Sequence, residues 1–61
     1  MRLRALHQAV EALPRELRHV VNRTLAGRTV EQISSGMGLT ETEVEQLLES
    51  ARVELSWMLD G

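Results

Sequence analysis

Three glutamates recur at every fourth position in the second half of this 61-residue chain, at Glu41, Glu45 and Glu49. At helical spacing they form a ridge of like charge, which costs about a few tenths of a kcal/mol per pair when nothing opposes it. Carboxylates arranged in this way can bind a basic partner. The plainer interpretation is a solvated face, on which Glu41 and Glu43 complement the dipole at the start of a helix.

An apolar pair, Val53 and Trp57, follows the glutamates. Four-residue spacing makes the two side chains neighbours on one helix face, about opposite the expected buried stripe. Trp57 is predicted either to cover the core of its own domain or to serve as an interface anchor, since paired aromatic and aliphatic side chains are typical of association surfaces. The sequence leaves both alternatives open.

The remaining reactive side chains do not form a catalytic or metal-binding pattern. His7 and His19 fall on separate predicted helices, and the chain has no cysteine. Its serines have no base at a useful spacing. We therefore predict no metal site, no cofactor and no enzymatic activity.

Helical periodicity predicts two helices in the first half of the chain. Leucines and valines at helical spacing predict a first helix from about Leu3 to Ala12. Pro14 separates it from a second helix, from about Pro14 to Leu25, because proline disfavours the α conformation in the residue before it. Gly27 is expected to close that helix. Its predicted inward residues are Leu17, Val20, Val21, Thr24 and Leu25.

Two capping boxes predict two further helices. Thr29 with Gln32 opens the third helix, Gly38 provides the turn after it, and Thr40 with Glu43 opens the fourth. The spacing of the two caps is that of a helix-turn-helix. The predicted inward stripe of the fourth helix is Val44, Leu47, Leu48, Ala51, Leu55, Met58 and Leu59.

Composition limits the architecture to one small domain, residues 1–61. Trp57 is the only aromatic residue, so the core must be aliphatic, and we predict an all-α fold of four short helices with the helix-turn-helix formed by the last two.

Residues 1–28 carry six arginines against two acids, giving +4, whereas residues 29–61 carry one arginine against seven acids, giving −6. No apolar run is long enough to span a membrane, which favours a cytoplasmic location.

Several short sequence patterns follow one another along the chain. The pair Leu13-Pro14 opens the second helix, residues 27–34 read G-x-T-x-E-Q-I-S, and residues 37–40 read M-G-L-T. Over about residues 5 to 55 the chain thus resembles region four, the C-terminal promoter-binding domain of bacterial sigma factors, particularly the extracytoplasmic-function class. The LuxR-type regulators, which use a similar four-helix unit, are the second resemblance. Both imply a role in bacterial transcription control.

The departures from the sigma-like pattern lie on the fourth helix. Where the family pattern has a threonine and basic residues, this chain has Glu43, Glu45, Leu47 and Ser50. Since an acidic helix is repelled by phosphates, the expected function is protein contact with a second copy, an anti-sigma-like regulator or RNA polymerase. The expected partner-binding residues are Glu41, Glu45, Glu49, Val53 and Trp57.

Two alternatives remain. In the first, the chain is a promoter-binding domain whose arginines contact phosphates while side chains of the fourth helix reach the bases. Its expected DNA-binding residues are Arg18, Arg23, Arg28, Thr40, Thr42, Glu45 and Gln46. In the second, the same fold is a purely structural oligomerisation module with no role in transcription.

Overall fold

A computed structural model describes residues 3–60 as four α-helices. They are α1 (Leu3–Glu11), α2 (Arg15–Leu25), α3 (Val30–Met37) and α4 (Glu41–Asp60). This confirms the predicted all-α fold for the described residues. At 20 residues, α4 is by far the longest helix, and its length of about 30 Å is close to the 32 Å long axis of the molecule.

Pro14 determines the junction between α1 and α2. It has φ −51° and ψ 149°, outside the helical region, and is the N-cap of α2. Its carbonyl accepts a hydrogen bond from the Arg18 backbone N–H at 2.9 Å. The helix therefore begins at Arg15, one residue later than predicted, and α1 ends at Glu11, one residue earlier. Leu13, between the two helices, is nevertheless buried.

Gly27 closes α2 as predicted. Its φ of +88° is in the left-handed region, which glycine adopts without a steric penalty. This conformation lets the Arg28 backbone N–H reach back to the Arg23 carbonyl at 3.1 Å. The chain then turns directly into the cap of α3.

Both predicted capping boxes are present. The Thr29 hydroxyl accepts from the Gln32 N–H at 3.1 Å, and the Thr29 N–H donates to Gln32 Oε1 at 2.9 Å. At α4, Thr40 and Glu43 make the same exchange at 3.1 and 3.0 Å. Between them Gly38, with φ +69°, ends α3 in the left-handed conformation. These local bonds set the helix-turn-helix geometry.

The core consists of two clusters that meet at α4, which contacts each of the other three helices. Leu47 packs against both clusters and joins them. The first cluster connects α1, α2 and α4 through the buried residues Val10, Leu13, Leu17, Val21 and Ala51. The second connects α2, α3 and α4 through the fully buried residues Val20, Ile33 and Val44.

Three residues predicted to face inward are exposed instead. Leu25 is 56% exposed and Met58 is 39% exposed. Thr24 is also exposed, and its hydroxyl donates to the Val20 carbonyl at 3.0 Å. Periodicity identifies the face of a helix, but burial also needs a neighbouring helix opposite that face. Within residues 3–60, no helix covers the final turns of α2 and α4 at these positions.

Candidate interaction surface on the fourth helix

The five predicted partner-binding residues form a single row along α4, which we call the outer ridge: Glu41, Glu45, Glu49, Val53 and Trp57. Each is four residues from the next, and all five are exposed. An i, i+4 row is a continuous ridge on a helix surface and runs for about 24 Å over these 16 steps. The ridge is acidic in its first three positions and apolar in its last two.

The buried stripe of α4 fixes the direction in which this ridge points. Val44 and Ala51 are essentially inaccessible to solvent, and Leu48 packs against the second core cluster. With that stripe facing inward, the outer ridge projects from the side and back of the helix. The side chains that hold α4 in place are thus separate from those available to a partner.

Trp57 does not cover the core of its own domain. Trp57 is 75% exposed, and Val53 is 41% exposed. The predicted core-covering role of the tryptophan is therefore wrong, because Trp57 projects from the side of α4 opposite its buried stripe. The interface alternative stays a prediction.

Arg52, the one basic side chain of α4, is paired with the outer ridge. Its Nε donates to Glu49 Oε2 at 3.1 Å, and Nη2 donates to Glu49 Oε1. This pairing lowers the pKa of Glu49, first through the hydrogen bonds and then through charge attraction, and raises the pKa of Arg52 for the same reasons. Both side chains remain about two-thirds exposed, so the pair contributes little to stability. Its effect is to reduce the positive charge that α4 offers to a partner.

Glu43 has a structural role. Its carboxylate accepts the Thr40 backbone N–H, and the hydrogen bonds to Thr40 lower the pKa of Glu43. The same bonds occupy Thr40, which belongs to the predicted DNA-binding set. A capping role accounts for the glutamate that replaces the threonine of the sigma-like pattern.

The predicted DNA-binding residues are distributed over α2, α4 and the segments that precede α3 and α4. Thr42 and Glu45 lie exposed on α4, whereas Gln46 lines a shallow groove shared with Glu16 of α2 and Glu43. Arg18 belongs to α2, and its side chain reaches the end of α1. There its Nη1 donates weakly to the Glu11 carbonyl at 3.4 Å. Only Arg23 and Arg28, among the predicted arginines, line a common groove.

That groove, which we call the basic groove, lies between α2 and α3. It is lined by His19, Asn22, Arg23, Ala26, Arg28, Gln32 and Gly36. Two of these side chains are cationic and none is acidic. The sequence pattern did not identify the groove, because its walls come from two helices whose relative placement is set by core packing. The sequence feature that indicates the groove is Gly36, because a glycine inside α3 leaves that part of the helix surface without a side chain.

Within residues 3–60, no group of three histidine, cysteine, aspartate or glutamate side chains could hold a metal ion. Over the same residues, no helix combines the length and apolar character needed to cross a bilayer. The outer ridge and the basic groove are two exposed surface features of this part of the chain.

Comparison with known proteins identifies one family. The family model described as "Sigma-70, region 4" matches residues 3–55, which include all of α1, α2 and α3 and most of α4. No curated protein and no solved structure matches the chain. The LuxR-type resemblance gains no support from these comparisons and stays a prediction.

Proposed function

The chain belongs to the sigma-70 region 4 family, and we propose that this transcription-related helix-turn-helix domain acts mainly through protein–protein contact made by the outer ridge of α4. The proposal includes a cytoplasmic location, which a role in bacterial transcription implies. The candidate partners are a second copy, an anti-sigma-like regulator and RNA polymerase. The acidic positions of the ridge suit a basic surface, while Val53 and Trp57 suit an apolar pocket.

The observation that carries this proposal is the exposed charge of α4. Five glutamates on this helix are exposed, and its single arginine is paired with one of them. A like charge at about 4 Å costs about 1 kcal/mol even in water. Replacing attractive lysines by two or three repulsive glutamates thus shifts binding by several kcal/mol, which is comparable with the ~4–10 kcal/mol that separates specific from non-specific DNA binding.

Direct promoter binding is the second candidate. It is favoured by the basic groove, in which Arg23 and Arg28 could contact phosphates close to the start of α3. Thr42 and Gln46 are exposed on α4 and could reach base edges. In this arrangement the glutamates of the outer ridge would lie close to the phosphates of the duplex, which repel them. A structural oligomerisation module without a transcription role is the third candidate.

Titration with duplex DNA at rising salt concentration separates the first two candidates. We expect no measurable binding of the wild-type chain at low salt, where electrostatic attraction to phosphates is strongest. Nanomolar affinity that falls steeply with salt would overturn the protein-contact proposal and support promoter binding.

Charge reversal on the ridge sharpens this test. Glu45→Lys with Glu49→Lys should give the helix-turn-helix measurable DNA affinity, because it replaces repulsion by attraction on the side of α4 opposite the core. The matched control is Glu11→Lys with Glu31→Lys, which changes the net charge equally but alters α1 and α3. Equal gains for both variants would show that total charge, and not the ridge, prevents DNA binding.

A further inference from the structure

The outer ridge and the basic groove complement each other in charge. The ridge presents Glu41, Glu45 and Glu49, whereas the groove presents Arg23 and Arg28. The same asymmetry runs through the chain, with +4 on residues 1–28 and −6 on residues 29–61. Because these surfaces belong to every copy, we propose that the outer ridge of one chain docks in the basic groove of a second copy. This inference rests on the proposed protein-contact function and names its partner.

The apolar half of the ridge also has a counterpart in the groove. Trp57 and Val53 are exposed on the ridge, and the groove includes Ala26 and Gly36. An added Cβ at Gly36 would meet nothing within 4 Å, so the glycine leaves open space beside α3. An indole that enters this space gains apolar burial while the glutamates meet the arginines.

Two copies can exchange both contacts at once. If the ridge of the first copy contacts the groove of the second, a two-fold axis places the second ridge in the first groove. Each contact depends on one large aromatic side chain, which buries about 150–250 Å², and on charge pairs that salt weakens. The association should therefore be concentration-dependent and should weaken as salt is added.

Sedimentation equilibrium of the full chain tests the proposal. Across about a hundredfold range of concentration at low salt, the mass should rise above that of one chain, and the Trp57 emission should shift to shorter wavelength as the indole leaves water. A single-chain mass with unshifted emission at every concentration would overturn the proposal.

Reversing the charges tests whether these two surfaces meet. Arg23→Glu with Arg28→Glu, and separately Glu45→Arg with Glu49→Arg, should each lose self-association because like charges then face each other. An equimolar mixture of the two variants should recover it, since each groove again meets a ridge of opposite charge. The matched control, Arg4→Glu with Arg15→Glu, changes the net charge as the first variant does but lies outside the groove, and should associate like the wild type.

Filling the groove supplies a test that leaves charge unchanged. Gly36→Leu places a side chain in the open space and should abolish the concentration-dependent mass and the emission shift. Ser35→Leu adds the same side chain one residue earlier, at an exposed position outside the groove, and should retain both. Undiminished association of Gly36→Leu, or failure of the two charge variants to restore each other, would overturn the proposal.

The results also separate this inference from the proposed function. A single-chain mass together with absent DNA binding would remove the second copy as partner while protein contact stands. Nanomolar DNA binding by the wild-type chain would instead remove the protein-contact function itself.

Discussion

Gly36 and Gly38 lie two positions apart, but only Gly38 has a backbone conformation that favours glycine. Gly38 closes α3 with φ +69°, a conformation that residues with a Cβ rarely adopt. Gly36 lies inside α3, outside the left-handed region, and its missing side chain faces open space. Glycine is thus required for the turn at Gly38, whereas Gly36 weakens the helix it occupies.

Alanine at the two glycines should therefore have opposite effects. Gly36→Ala should raise the free energy of unfolding by up to about 1 kcal/mol, which raises Tm by about 4–8 °C per kcal/mol in a chain of this size. Gly38→Ala should lower it by roughly 1–2 kcal/mol because of the left-handed conformation. Thermal unfolding followed by circular dichroism measures both, and changes of the same sign would contradict the structure.

Because of Glu43, the free energy of unfolding depends on pH. Hydrogen bonds from Thr40 hold its pKa below the ordinary value of 4.5. Because the folded-state pKa is lowered, this stabilisation is fully present above the unfolded-state pKa and is lost as the pH falls through the folded-state pKa.

Glu43→Gln keeps an acceptor for the Thr40 N–H but cannot titrate. We expect the Tm of this variant to fall less than that of the wild type as the solution is acidified from neutral pH. Glu41→Gln, in the same turn but outside the cap, is the control and should follow the wild type more closely. Identical acid sensitivity of Glu43→Gln and the wild type would exclude the capping bond as a source of pH dependence.

At the scale of the elements, the features predicted correctly are those specified by local chemistry. Thr29 and Thr40 begin helices because their hydroxyls cap the third amide, and Gly27 and Gly38 end helices because they adopt positive φ. These requirements are satisfied within a few residues, so the sequence displays them directly.

The features missed depend on which helices are neighbours. Leu25 and Met58 are exposed because, within residues 3–60, no other helix covers the final turns of α2 and α4 at these positions. The basic groove was missed for a related reason, since His19 of α2 and Gln32 of α3 line it together only after the core has packed. Periodicity within one helix does not contain this information.

Packing between elements can be tested at Ile33. It is 1% exposed and connects α3 to α2 and α4. Ile33→Ala should cost about 2–5 kcal/mol, a large part of the ~3–9 kcal/mol expected for a chain of this length. Leu25→Ala, a comparable truncation at an exposed site, should cost far less in urea unfolding. Similar losses for the two variants would contradict the assignment of the core.

At the scale of the whole molecule, the family scaffold and the surface charge point to different functions. The core, caps and turn are those expected of a sigma region 4 helix-turn-helix. The outer side of α4 carries carboxylates and a tryptophan, and its one arginine is held by Glu49. Since long-range charge governs association with nucleic acid, the negative α4 is the basis of the proposal that the domain contacts a protein.

The most direct measurement is the salt dependence of duplex DNA binding by the wild-type chain. Each phosphate contact adds about −0.9 to the slope of log affinity against log salt. We predict no measurable binding at low salt, and therefore no slope of this kind. Nanomolar affinity with a slope equivalent to several phosphate contacts would contradict the proposal that α4 acts through protein contact.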